Sequence, residues 1–210
     1  MAAAIDRSTR PSIRSQPTAA ITVSHMAVAL FLAIGSWANA TLAQEVPPPA
    51  YQIAAHQAGV PSAVLYAVAL QESGASLQGR LIPWPWTLNV VGMPERYATR
   101  AEACARLKQA LGQSPANRID AGLGQVNLGY QAHRYTHPCE LLDPYRNLAI
   151  AADILREQHT PGEDWLLAIG RYHRPAGGAP AARYRRSVHQ HLARVLGPDV
   201  SLSSTRDTTP

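Results

Sequence analysis

Apolar residues recur at three- and four-residue spacing in six stretches, and each stretch is bounded by residues that start or stop a helix. Tyr51 to Gly59 reads as a short helix ended by Gly59, and Val60 to Gly74 follows it at once, so a helical hairpin is expected. In that second stretch Pro61 suits a first turn, Gly74 suits a left-handed residue past the end, and Leu65, Val68 and Ala69 share one face. Thr99 to Leu111 opens with Thr99 and Glu102 in capping-box spacing. A further helix is capped by Asp143 with Pro144 in its first turn, lined by Leu148, Ala151, Ala152 and Leu155, and ended by Pro161. Trp165 to Tyr172 and Ala181 to Leu196 complete the set, the last turning Tyr184, Val188, Leu192 and Val195 inward.

Two intervals break this rhythm. Leu81 to Val90 carries Pro83 and Pro85 among β-prone residues, which predicts an extended segment or a short hairpin reaching Met93-Pro94. Trp84 and Trp86 within it either stack on a ligand ring or fill a gap between helices. Pro115 to Asp120 reads as a loop leading into Gly122-Leu123-Gly124-Gln125-Val126-Asn127, a tight turn able to approach a ligand. With six helical stretches, no internal repeat and one irregular insert, the chain reads as a mainly α single domain with a short extended or β-hairpin insert.

The ends read differently. Arg7, Arg10 and Arg14 precede the apolar run Met26 to Ile34 and then small residues, so residues 1–43 are expected to be a signal peptide. That run is short for a membrane span, which needs about 20 residues, and no stable span is expected after cleavage. Residues 44–50 form a Pro-rich lead-in, 51–200 the domain, and 201–210 a polar tail expected to be disordered. The chain therefore reads as an exported protein.

Composition agrees: 46% hydrophobic and 16% charged residues over 210 positions are globular proportions. The net charge of +5 would suit an anionic partner, but no nucleic-acid-binding pattern accompanies it, so nucleic acid is not expected. The two cysteines, Cys104 and Cys139, suggest a disulfide in an oxidising compartment, with two free thiols as the alternative. Eight histidines fall in no metal-ligand spacing and no nucleophile elbow occurs, so neither a metal site nor a cofactor is expected.

Glu72 is the residue out of place. It continues the apolar face of its helix at the C-terminal end. Burial and the unpaired carbonyls of the last turn both favour a protonated carboxyl there, as a general acid requires. The plain alternative is a glutamate at the core's rim with its carboxylate in water.

Taken in order, Gln71-Glu72-Ser73-Gly74, Gly122 to Asn127, Asp143-Pro144-Tyr145-Arg146-Asn147-Leu148 and Ala168 to His173 resemble the lytic transglycosylase domain, the soluble type with a goose-lysozyme-like fold. The Trp84 to Asn89 segment resembles the small members encoded with conjugative transfer systems. The resemblance spans about Tyr51 to Leu196. It implies peptidoglycan glycan strands as substrate, and conjugation or secretion machinery as possible company. Glu72 takes the place of the catalytic acid and base. Ser73 matches a serine near the leaving sugar, Gln125 and Asn127 belong to the saccharide-lining loop, and Tyr172 matches a tyrosine that hydrogen-bonds the catalytic carboxyl. The resemblance requires no second carboxylate, and Asp120, Asp143 and Asp164 each read as a cap or loop residue. Members often carry Met at the place of Gly124 and Asn at that of His173; the first difference implies a looser sugar contact.

Overall fold

A computed structural model describes residues 44–197 of the chain. The expected signal peptide, the tail and the domain's last residues after 197 lie outside them. The described part is mainly helical with small antiparallel sheets: helices α1 (Pro49–Ala58), α2 (Ser62–Ser73), α3 (Arg100–Leu111), α4 (Pro144–Glu157), α5 (Trp165–His173) and α6 (Gly178–Leu196), with strands β1 (Gly74–Leu77), β2 (Arg80–Pro83), β3 (Thr87–Val90), β4 (Met93–Arg96), β5 (Ile119–Ala121) and β6 (Val126–Asn127). Among the described residues no single helix is long and apolar enough to cross a membrane.

α2 is the centre of the molecule. Every residue from Ala63 to Leu70 is buried, so the helix has no solvent face over two turns and is apolar all round rather than on the one expected stripe. α6 packs along it through Tyr184, Val188, Leu192 and Val195, all buried as their spacing predicts. α1 does not fold back on α2 as a hairpin. The two axes turn through 117°, and α1 lies chiefly on α4. Gly59 makes that turn with a left-handed φ of 66°, and its N–H reaches back to the α1 carbonyls. The lead-in is tied down: Tyr66 donates to Glu45 at 2.8 Å, and Arg194 pairs with the same carboxylate at 2.9 Å.

The capping signals are met at both expected sites. Thr99 accepts from Glu102 N–H while Glu102 accepts from Thr99 N–H, and Asp143 accepts from Arg146 N–H with Pro144 first in α4. α4 then serves two cores. Leu148, Ala151, Ala152 and Leu155 face the helical core around α2, whereas Ile150 and Ile154 join a second core with Leu88, Leu107, Ile119 and Leu128.

That second core underlies more β-structure than the sequence predicts. β1 and β2 form a hairpin of their own, and a four-stranded antiparallel sheet runs in the order β4-β3-β5-β6. Gly74 is a correction. Its φ is −52°, not left-handed, and it opens β1; a Cβ there would collide with the carbonyl of Leu70. The residue must be Gly because the strand leaves the helix at contact distance. Both hairpins turn on two residues at positive φ, Gln78-Gly79 and Val91-Gly92. Trp84 and Trp86 meet edge to face at 6.1 Å, Trp84 donating to the Tyr97 carbonyl and Trp86 packing on the second core. They fill space between elements. Cys104 of α3 and Cys139 are disulfide-bonded with Cα atoms 5.3 Å apart.

Candidate active site

α2 ends beneath a cleft of about 620 Å³ whose walls come from both halves: Glu72, Tyr172 and His173 from the helices, and Thr87, Asn89, Asp120 and Gln125 from the sheet and its turn. The Glu72 side chain keeps a partial opening to this cleft, but its carboxyl is densely surrounded. Burial pushes it up from 4.5 to about 7, against a hydrogen bond from Tyr184 that favours the ionised form, while the charge of Asp120 adds to the rise. Tyr184 Oη donates to Glu72 Oε1 at 2.5 Å across 112 positions of sequence. The Tyr184 hydroxyl is itself pushed well above its usual range by burial and by Glu72, so it stays a donor. Tyr184 lies under His173, the rings stacked at 4.5 Å and nearly parallel.

The tyrosine that meets the carboxyl is therefore not the expected one. Tyr172 lines the cleft, but its hydroxyl donates to the carbonyl of Gly124 at 2.6 Å and so holds the glycine-rich turn. Ser73 is not brought to the cleft either. It is fully buried, and its hydroxyl is shared between Ala69 O at 3.0 Å and Leu123 O at 2.8 Å, which bolts the same turn to α2.

The third fastening is Asn147 of α4, fully buried. Its Oδ1 accepts from Gly124 N–H and its Nδ2 donates to Ala121 O and Leu141 O, each at 2.8 Å. Gly122, at φ 83°, leaves no room for a side chain against Asn147 and Leu141. A Cβ on Gly124 would stand 2.6 Å from the Ala151 methyl and 2.9 Å from Tyr172 Oη. The space at Gly124 is thus filled from within, not left loose. Gln125 follows at φ 45°, and its Nε2 donates to Gly122 O and Thr87 O, joining the turn to β3.

The sheet supplies the opposite wall. In β5 the alternation Ile119, Asp120, Ala121 buries the outer two and turns Asp120 to the cleft. Asp120 is thereby a second carboxyl in the site rather than a loop residue. Burial raises its pKa, opposed by the amide of Asn127 at 2.8 Å and the charge of His173. Asn127 lines the cleft, yet its polar atoms are engaged: Nδ2 with Asp120 and Asn117 O, Oδ1 with the N–H groups of Gly129 and Tyr130. Its work is to orient Asp120 and the exposed Tyr130. Asp143 and Asp164 are the caps their positions predict, of α4 and α5.

No family model, no curated protein and no solved structure matches the chain. What the site can do rests on its own geometry. A carboxyl held near neutrality at the foot of an open cleft can give a proton to a bound group and later take one back. Of the residues the sequence singled out, Glu72, Gln125, Asn127 and Tyr172 line the cleft and Ser73 does not, while Tyr184, Asn147 and Asp120 were given no part in it. The signals were thin: an inward tyrosine that read only as core, an Asn after a helix cap, and one polar residue between two apolar ones.

Proposed function

We propose that the protein is a peptidoglycan lytic transglycosylase with a goose-lysozyme-like fold. It is exported to the periplasm and opens the wall locally for a transfer or secretion apparatus. The observation that carries this reading is Glu72, raised to about 7 and hydrogen-bonded by Tyr184 at the foot of an open cleft. The ordered motifs of the chain and its helices with a small sheet insert agree with it.

In the mechanism, neutral Glu72 protonates the glycosidic oxygen between N-acetylmuramic acid and N-acetylglucosamine as the C1–O bond breaks. The resulting carboxylate then removes the proton from the muramyl 6-hydroxyl, whose oxygen bonds to C1 and closes a 1,6-anhydro ring. No water is consumed, and Glu72 ends protonated as it began. Tyr184 stabilises the carboxylate between the two steps by its hydrogen bond.

Asp120 favours a second reading. Two carboxyls facing one cleft suit a hydrolytic muramidase, in which the second supports the cation or activates water. Digestion of purified peptidoglycan followed by mass spectrometry decides between the readings. Anhydro-muramyl ends are expected; reducing muramic ends replace the transglycosylase by a hydrolase, and no cleavage removes both. Glu72→Gln is expected to lower cleavage at least about 100-fold.

A further inference from the structure

The Glu72 carboxyl has one hydrogen-bond partner among the described residues, the Tyr184 hydroxyl, and what steadies that hydroxyl lies outside α2. Tyr184 belongs to α6, which α5 packs along. His173, the last residue of α5, lays its imidazole on the tyrosine ring. The centroids are 4.5 Å apart and the planes only 4° from parallel. The two residues differ in their access to solvent. His173 is exposed and lines the cleft, whereas Tyr184 is buried and does not. The imidazole is therefore the cleft-side cover of the ring.

Geometry gives that cover a task. A phenol oxygen lies on the axis of its ring, so a tyrosine that tips about χ1 toward the cleft carries its hydroxyl off the carboxyl. A flat partner in face-to-face contact blocks this motion. The charged and titratable groups that face the pair are Glu72 of α2, Asp120 of β5, Tyr172 of α5 and Arg174 directly after it. Burial and Arg174 hold the imidazole below its usual pKa against the charge of Asp120, so it rests on Tyr184 as a neutral ring near pH 7.

Resting on Glu72 as the acid of the reading above, we propose that His173 is a positioning residue. Stacked on Tyr184, it keeps the tyrosine hydroxyl on Glu72 and so sets the acidity at which the carboxyl works. It touches no reacting atom and acts through Tyr184.

Carbon-13 NMR titration of the Glu72 carboxyl in the full chain, assigned by its loss in Glu72→Gln, tests this without substrate. Tyr184→Phe removes the bond that favours the carboxylate, so the midpoint is expected to rise by about one pH unit. His173→Asn, which has no ring to stack, is expected to raise it by about half a pH unit. His173→Phe keeps the ring and is expected to leave it unchanged. Added to Tyr184→Phe, His173→Asn is expected to do nothing more, because its path to Glu72 is already cut. Equal rises in both backgrounds, no rise, or a fall toward 4.5 from water entry each overturns the role. So does a His173→Phe that behaves like His173→Asn, or a His173→Asn that does not fold. Peptidoglycan cleavage by the same samples separates this from the reading beneath it. A wild type that cleaves wall while the titrations show no coupling loses the His173 role alone. One that cleaves nothing loses the glycan reading, whatever the titrations show.

Discussion

The two cores are stabilised by different means, and the cleft lies along their seam. Around α2 the helices bury apolar side chains on every side, and local signals (caps, stops, 3.6-residue spacing) all agree with the packing. The sheet half has strands of two to four residues, too short to stand alone. It depends on a covalent bond, two turns at positive φ and the hydrogen bonds of Asn147. Glu72 comes from the first half and Asp120 from the second. The Glu72 end of α2 is thus fixed by burial, while the wall opposite is held by a few removable fasteners.

The largest test removes the covalent one. Replacing Cys104 and Cys139 together by Ala opens a loop of 35 residues and is expected to cost about 3–4 kcal/mol on the chain-entropy account. Hydrogen exchange should rise in β3 to β6 while the amides of α2 and α6 stay protected. Uniform loss of protection in both halves would erase the contrast drawn between them.

Asn147→Leu comes next. It strands Gly124 N–H and two buried carbonyls, and a loss of about 3 kcal/mol is expected in urea unfolding. Because the same bonds hold the glycine-rich turn, wall cleavage should fall in step even at temperatures where the variant is folded. A variant that loses stability and keeps full activity would mean that the turn needs no clamp.

The difference between the halves also decided what could be read in advance. Helix ends were legible because the residues that make them act locally: Thr99 with Glu102, Asp143 with Pro144, Gly59 in its left-handed turn. Glu72 was legible as a misfit on an apolar helix. The β3–β4 hairpin was legible from β-prone residues reaching Met93-Pro94. The rest of the sheet was not, because pairs such as Asn89 with Asp120 are joined only by tertiary register. Tyr184 was assigned to the core correctly, yet its hydroxyl reaches Glu72 from 112 positions away, a distance over which spacing carries no information. The resemblance gave the carboxyl's hydrogen bond to Tyr172, whose hydroxyl goes to Gly124 O instead.

Glu72 sets the site against stability. Raised from 4.5 to about 7, it stays protonated in the folded chain at pH values where the unfolded chain is ionised. The folded state then binds more protons, so the stability linked to this group is whole below about 4.5 and is lost as pH rises through about 7. Glu72→Gln carries no charge to bury. It is expected to be more stable than wild type at pH 8 by about 2–3 kcal/mol and to match it closely near pH 4. Chemical denaturation at both pH values checks this, and a variant no more stable at pH 8 would show that water reaches the carboxyl freely. The same substitution would then have removed activity for a reason other than a tuned acid.

The smallest effect lies outside the cleft lining and isolates the turns. Val91 sits at φ 54°, where a β-branched side chain crowds its own backbone, and it is 44% exposed, so packing does not explain its presence. Its N–H donates to Arg118 O at 2.8 Å, a bond that any residue but proline can make. Asn before Gly92 suits this two-residue turn far better, and Val91→Asn is expected to add about 1 kcal/mol. The gain should appear as slower exchange in β3 and β4, with α2 unchanged. Gln78→Asn in the other hairpin makes the control: Gln78 is also at positive φ but is not branched at Cβ, so its gain should be smaller. Equal gains at the two turns would place the strain in the left-handed backbone itself rather than in the valine.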